Sequence, residues 1–164
     1  MTVTTIPDTA VSTLQRWIVV ADDNALLRDI WLEALGQAGY WAVGCEDGLE
    51  ALKSMHDVVP DLLLLDLRMP KLSGEHVVEL LRATRRQQAV PILIVSAHLH
   101  DGPPPRDDAQ LNIVGRLEKP VSLDTLLATV ADALGTDPGG QPTRPSRQPA
   151  ANPGRCSEPA SWPL

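Results

Sequence analysis

Asp61-Leu62-Leu63-Leu64-Leu65-Asp66-Leu67-Arg68-Met69-Pro70 is the stretch that decides how this chain folds. Four consecutive leucines offer no polar face to water. A short continuous apolar run of this kind suits a parallel strand covered on both faces, whereas a half-exposed strand would alternate. The run stops at an acid, Asp66, and Met69-Pro70 follows shortly after.

Similar runs lie on either side. Trp17-Ile18-Val19-Val20-Ala21 and Ile92 to Val95 are continuous; Trp41 to Cys45, and Ile113-Val114 with Leu117, are weaker. Amphipathic helices are predicted between them. Leu27, Ile30, Trp31, Ala34, Leu35 and Ala38 form one apolar stripe, and Leu123, Leu126, Leu127, Val130, Ala131 and Leu134 form another. Asn24 and Ser122 stand where N-caps belong, and Gly39 and Gly135 where helices stop. Gly48 to Asp57 and Gly74 to Arg86 are two further helix candidates. Strands alternating with helices predict a doubly wound α/β fold around a five-stranded parallel sheet, with right-handed crossovers. One helix in the series is expected to be shortened or irregular. Between Ser96 and Ile113 the chain reads His98-Leu99-His100-Asp101-Gly102-Pro103-Pro104-Pro105, and three prolines cannot occupy a helix interior. A short helix from about Arg106 to Leu111 is the most that fits there.

Composition sets the boundaries. Of 164 residues, 43% are hydrophobic but only 3% aromatic, with no Phe, so the core must be aliphatic. Residues 1–14 read as a flexible lead and 15–135 as one domain. Residues 136–164, crowded with Pro, Gly and Arg, read as a disordered tail, too poor in aliphatics to offset the entropy of ordering. The net charge of −7 argues against a nucleic-acid surface, which must be basic to displace counterions. No apolar run reaches the roughly 20 residues needed to span a bilayer. Met1 to Ser12 lacks the basic and apolar regions of a signal peptide. Two far-apart cysteines, Cys45 and Cys156, make no disulfide framework, so a cytoplasmic setting is expected.

Ligands gather at the carboxyl ends of the strands in such sheets. The first run ends in Asp22-Asp23, the third in Asp66, the fourth in Ser96 and the fifth in Lys119-Pro120. Three carboxylates, a hydroxyl and an ammonium are thus predicted on one rim. Carboxylates held close resist ionising together. A hard divalent cation, best Mg²⁺, relieves the repulsion and neutralises charge during phosphoryl transfer. Lys119 supplies a compact positive charge for a phosphoryl oxygen, Ser96 a hydrogen bond, and Asp66 the nucleophile that forms an acyl phosphate.

On Asp22-Asp23, Asp66, Met69-Pro70, Gly74, Ser96 and Lys119-Pro120, the chain resembles the receiver domains of bacterial two-component response regulators, over about residues 15–135. The resemblance implies a flavodoxin-like sheet of order 2-1-3-4-5. It implies that Asp66 accepts a phosphoryl group from a histidine kinase or a histidine phosphotransfer protein. Asp23 and Asp66 would ligate Mg²⁺ directly, Asp22 through water, and the backbone carbonyl of Arg68 would complete the set. Lys119 would pair with phosphoryl oxygens, and Ser96 would move toward them. Such a chain is a signalling phosphoacceptor and not an enzyme in the ordinary sense. The residues after Leu134 are too few and too polar for a DNA-binding domain, so output is expected through an unknown protein target. One departure stands out: Arg116 occupies a position where an aromatic is usual.

That departure and the proline-broken fourth helix motivate an alternative, a binding module of the same fold that acts without phosphorylation. An aspartyl-phosphate hydrolase is disfavoured, because Asp66-Leu67-Arg68 lacks the second carboxylate of an Asp-x-Asp pair. A nicotinamide enzyme is disfavoured because no G-x-G-x-x-G follows the first strand. His56, His76, His98 and His100 read as surface histidines, with His98 bordering the site. Trp17, Trp31 and Trp41 read as packing residues, and Arg82, Arg85 and Arg86 as a basic helix end.

Overall fold

The computed structural model describes residues 16–97, 99 and 111–135. The expected lead and tail lie outside these residues, as do His98, His100, the three prolines and nearly all of the short helix expected before Leu111. In chain order the elements are β1 (Trp17–Ala21), α1 (Ala25–Gln37), β2 (Trp41–Cys45), α2 (Gly48–Ser54), β3 (Leu62–Leu65), α3 (Gly74–Ala83), β4 (Ile92–Ser96), β5 (Ile113–Glu118) and α4 (Leu123–Ala133). The sheet order is β2-β1-β3-β4-β5, with every neighbouring pair parallel. Among the described residues, no helix lies between β4 and β5.

The leucine run works because the sheet has two covered faces. Leu63 and Leu65 join Val19, Ala21, Ile92 and Ile94 against Ala51 of α2 and Val77 and Leu81 of α3. Leu62 and Leu64 join Ile18, Val20, Leu93 and Val95 against Trp31 and Leu35 of α1 and Leu126 and Val130 of α4. Alternate residues of a strand point to opposite faces, so only a strand without a polar face fills both cores. Each leucine so buried contributes roughly 1.5–3 kcal/mol relative to leaving it exposed.

Helix ends follow the local chemistry. Asn24 Oδ1 accepts from the Leu27 amide at 3.1 Å, and Ser122 Oγ from the Thr125 amide at 3.2 Å. Gly39 and Gly135, at φ 88° and 62°, take the left-handed conformation that stops a helix.

Three expectations are corrected. In α1, Ile30 is 41% exposed and Ala38 is exposed, while Arg28 is buried. The buried face runs Arg28, Trp31, Ala34 and Leu35, because the Arg28 guanidinium reaches the Asp22 backbone carbonyl at 2.6 Å. Helices α2 and α3 end at Ser54 and Ala83, three residues short of each expectation. Met55, wholly buried, ends α2. Beyond α3 the chain turns back, and Arg82 donates to the carbonyls of Gln87, Gln88, Val90 and Leu111. Arg82, the basic residue in the last turn of α3, is therefore also a clamp on the chain either side of β4. Cys45 is buried at the end of β2, with its Sγ 3.7 Å from Ser54 Oγ.

The tryptophans Trp17, Trp31 and Trp41 are all buried, while His56 and His76 are exposed, as the sequence implies. No described helix is long and apolar enough to cross a membrane.

Candidate functional site

The central strands deliver the acids. Ala21 and Leu65 are register partners of β1 and β3, so Asp22 and Asp66 follow side by side. Backbone bonds fix both: the Asp66 amide donates to the Ala21 carbonyl at 2.9 Å, and the Asp22 amide to the Cys45 carbonyl at 3.1 Å. β4 ends at Ser96 beside β3. The Lys119 amide donates to the Ser96 carbonyl at 3.1 Å, which carries Lys119 to the same rim. The Lys119–Pro120 peptide is cis.

Carboxylate oxygens of Asp22, Asp23 and Asp66 lie within 4.8 Å of one another. Lys119 Nζ donates to Asp22 Oδ2 at 2.6 Å and to Asp66 Oδ2 at 2.5 Å. The other oxygen of Asp66 accepts from Ser96 Oγ at 2.8 Å and from the Arg68 amide at 3.1 Å. Asp22 Oδ1 accepts from the Asn24 amide at 2.9 Å. Asp22, Asp66 and Ser96 are buried, whereas Asp23 is exposed. The structure thus brings together Asp22, Asp23, Asp66, Ser96 and Lys119, with Arg68 in the turn leaving β3.

Burial pushes the Asp22 carboxyl above its ordinary value, with the Lys119 and Asn24 hydrogen bonds opposing it and the Asp66 charge adding to it. Burial would lower Lys119, but its hydrogen bonds to the Asp22 and Asp66 carboxylates outweigh it and hold the ammonium up. Lys119 is therefore the rim's internal counterion. Three carboxylates against one ammonium leave two negative charges and an all-oxygen donor set. That donor set fits a hard divalent cation such as Mg²⁺.

Arg28, Lys71 and Asp47, which no motif in the sequence marks, tie together elements around the site. Arg28 holds the peptide of Asp22 from inside α1. Its spacing carried a signal, since Arg28, Trp31 and Leu35 sit at i, i+3 and i+7 on one face. Trp31 lies under Lys119, with Nζ 5.6 Å from the ring centroid. Lys71, at φ 61° in the turn after Pro70, reaches back to Asp47 Oδ2 at 2.5 Å and Glu46 Oε1 at 3.4 Å. Asp47 is the N-cap of α2, accepting from the Glu50 amide at 2.8 Å. Arg116 is half-buried in β5, opposite Ile94 of β4.

The Asp47–Lys71 pair gives a pH-dependent expectation. Burial would raise the Asp47 carboxyl, but hydrogen bonds from Lys71 and the Glu50 amide hold it below its ordinary value of 3.8. Its contribution to stability is present above that value and is lost as pH falls through the depressed native one. Lys71→Met should therefore melt below wild type at pH 7, and the gap should close as pH falls below 3.8. A gap of constant size in melts across that range would show that the pair contributes nothing through its charges.

The family model of the response regulator receiver domain matches residues 18–131. The polar-differentiation response regulator DivK of Brucella ovis is 27% identical over 121 residues, covering 72% of this chain and 95% of DivK. The probable transcriptional regulator ycf27 of Guillardia theta is 38% identical over 80 residues, 49% of this chain but only 30% of that protein. Among solved structures, the response regulator protein TrrA of Thermotoga maritima, in complex with Mg²⁺–BeF, has a TM-score of 0.62. It is 29% identical, covering 73% of this chain and 100% of that one.

Proposed function

The chain belongs to the response regulator receiver family, and on that premise we propose that Asp66 accepts a phosphoryl group from a phosphorylated histidine of a kinase or phosphotransfer protein. The observation that carries this is the setting of the Asp66 carboxylate. One oxygen is held by Lys119, the other by Ser96 and the Arg68 amide, and two further acids stand alongside. An Asp66 oxygen attacks phosphorus as the bond to the donor imidazole nitrogen breaks, giving an acyl phosphate and a neutral histidine. Bound by Asp22, Asp23, Asp66 and the backbone carbonyl of Arg68, Mg²⁺ would offset the charge on the phosphoryl oxygens.

Lys119 and Ser96 act as the readers. The ammonium that now bridges Asp22 and Asp66 has a stronger partner once a phosphoryl oxygen is present. The Ser96 hydroxyl exchanges Asp66 Oδ1 for another phosphoryl oxygen. Both moves bias a two-state equilibrium of the rim, in which a few kcal/mol separate the states. Residues 15–135 form the receiver unit, and output passes to a protein target in the cytoplasm. The chain assists only its own phosphorylation and dephosphorylation.

One observation favours a second reading. Arg116 is half-buried where the family resemblance expects an aromatic, which fits a binding module that signals without phosphorylation. Incubation with acetyl phosphate separates the two. The phosphoacceptor reading requires an acid-stable, base-labile mass gain of one phosphoryl group that depends on Mg²⁺. No gain at saturating Mg²⁺ would favour the binding module.

A further inference from the structure

We propose that Trp31 is a positioning residue for Lys119, holding its ammonium at the acidic rim through the face of the indole. Lys119 carries its charge on a flexible four-carbon stem, which loses rotamer freedom when it is fixed. Asp22 and Asp66 take two of its three N–H donors. Both acceptors are carboxylates that the proposed chemistry also needs for metal and phosphorus, so neither is a permanent anchor. The indole is one. Nζ lies 5.6 Å from the ring centroid, within the roughly 6 Å over which a cation is attracted to an aromatic face.

Trp31 is itself immobile. It is 2% exposed and packs in the α1 face of the core with Leu35, Val20 and Leu64. The Lys119 side chain is only 15% exposed, so water screens the attraction weakly. One turn earlier on α1, Arg28 holds the Asp22 peptide. The same helix face therefore steadies both ends of the Asp22–Lys119 contact. When the ammonium leaves the Asp66 carboxylate for a phosphoryl oxygen, the indole keeps it from swinging into solvent.

Two measurements on the whole chain test this, and only the second rests on the phosphoacceptor reading. The chain has three lysines, Lys53, Lys71 and Lys119, so their side-chain resonances are readily assigned. Without metal or phosphodonor, the Lys119 ε-methylene protons should be shifted upfield of those of Lys53 and Lys71 by the indole ring current. The shift should survive in part in Trp31→Phe and vanish in Trp31→Leu. An unshifted Lys119 in wild type, or a shift retained in Trp31→Leu, overturns the proposal. Phe and Leu both leave a void and differ chiefly in the aromatic face. At equal melting temperatures, uptake from acetyl phosphate with Mg²⁺ should be roughly fivefold slower in Trp31→Leu than in Trp31→Phe. Equal rates in the two variants would reduce Trp31 to packing and overturn the positioning role. Should wild type take up no phosphoryl group at all, the phosphoacceptor reading fails, and the ring-current shift alone decides whether Trp31 holds Lys119.

Discussion

Asp66→Asn is expected to reduce phosphoryl uptake to background while leaving the fold intact. Asparagine has the shape of aspartate and can still accept from Ser96 Oγ and the Arg68 amide, which now bond Asp66 Oδ1 at 2.8 Å and 3.1 Å. An amide oxygen is too poor a nucleophile to displace imidazole, so the reaction itself is lost. Stability should change little, by about 1 kcal/mol or less, because two effects oppose each other. The Lys119 contact to Asp66 is weakened, but the repulsion among three carboxylates within 4.8 Å is relieved. Mass spectrometry after acetyl phosphate treatment, with thermal melts alongside, checks both parts. Undiminished uptake in a folded variant would remove Asp66 as the acceptor.

Gly74→Ala should be the most disruptive single methyl in the region. A Cβ at Gly74 would lie 2.2 Å from the Asp66 carbonyl oxygen and 2.9 Å from the Leu67 Cα. These are backbone atoms, and the Gly74 amide bonds the Leu67 carbonyl at 2.9 Å in the same turn. No side chain can swing aside, so α3 and the Asp66 loop must separate. Overpacking against backbone should cost about 3 kcal/mol, or about 10 °C in melting temperature for a domain of this size. Phosphoryl uptake should fall with it, since the displaced loop carries Asp66 and Arg68. Gly36→Ala is the matched control: nothing lies within 4 Å of its Cβ, and in α1 it should be neutral or slightly stabilising. Equal melting temperatures for the two variants would contradict the steric account.

The parts of this molecule readable from sequence are those with local causes. Four leucines without polar interruption required two covered faces, and alternating runs and stripes required a wound parallel sheet. Once the strands were placed, the acids, Ser96 and Lys119 fell on one rim because ends of neighbouring parallel strands share an edge. The strand order came from family resemblance, since nothing in the spacing of the runs orders them.

What is not readable is which partner a charged side chain takes, whether near or far in sequence. Arg82 reads as the tail of a basic helix end until its guanidinium is seen to gather carbonyls from 87 to 111. The buried face of α1 departs from its apolar stripe because Arg28 and not Ile30 turns inward, and its partner is the carbonyl of Asp22. The Lys71–Asp47 pair spans 24 residues, and Lys119 over Trp31 joins the ends of the fold. In each case the partner is set by how strands and helices pack and not by residue spacing.

Borohydride reduction of the acyl phosphate, followed by peptide mapping, tests the central claim most directly, because it converts only the phosphorylated aspartate to homoserine. After treatment with acetyl phosphate and Mg²⁺, homoserine is expected at residue 66 and at neither 22 nor 23. Homoserine at either of those positions, or at none, would contradict the assignment of Asp66 as the residue that captures phosphorus.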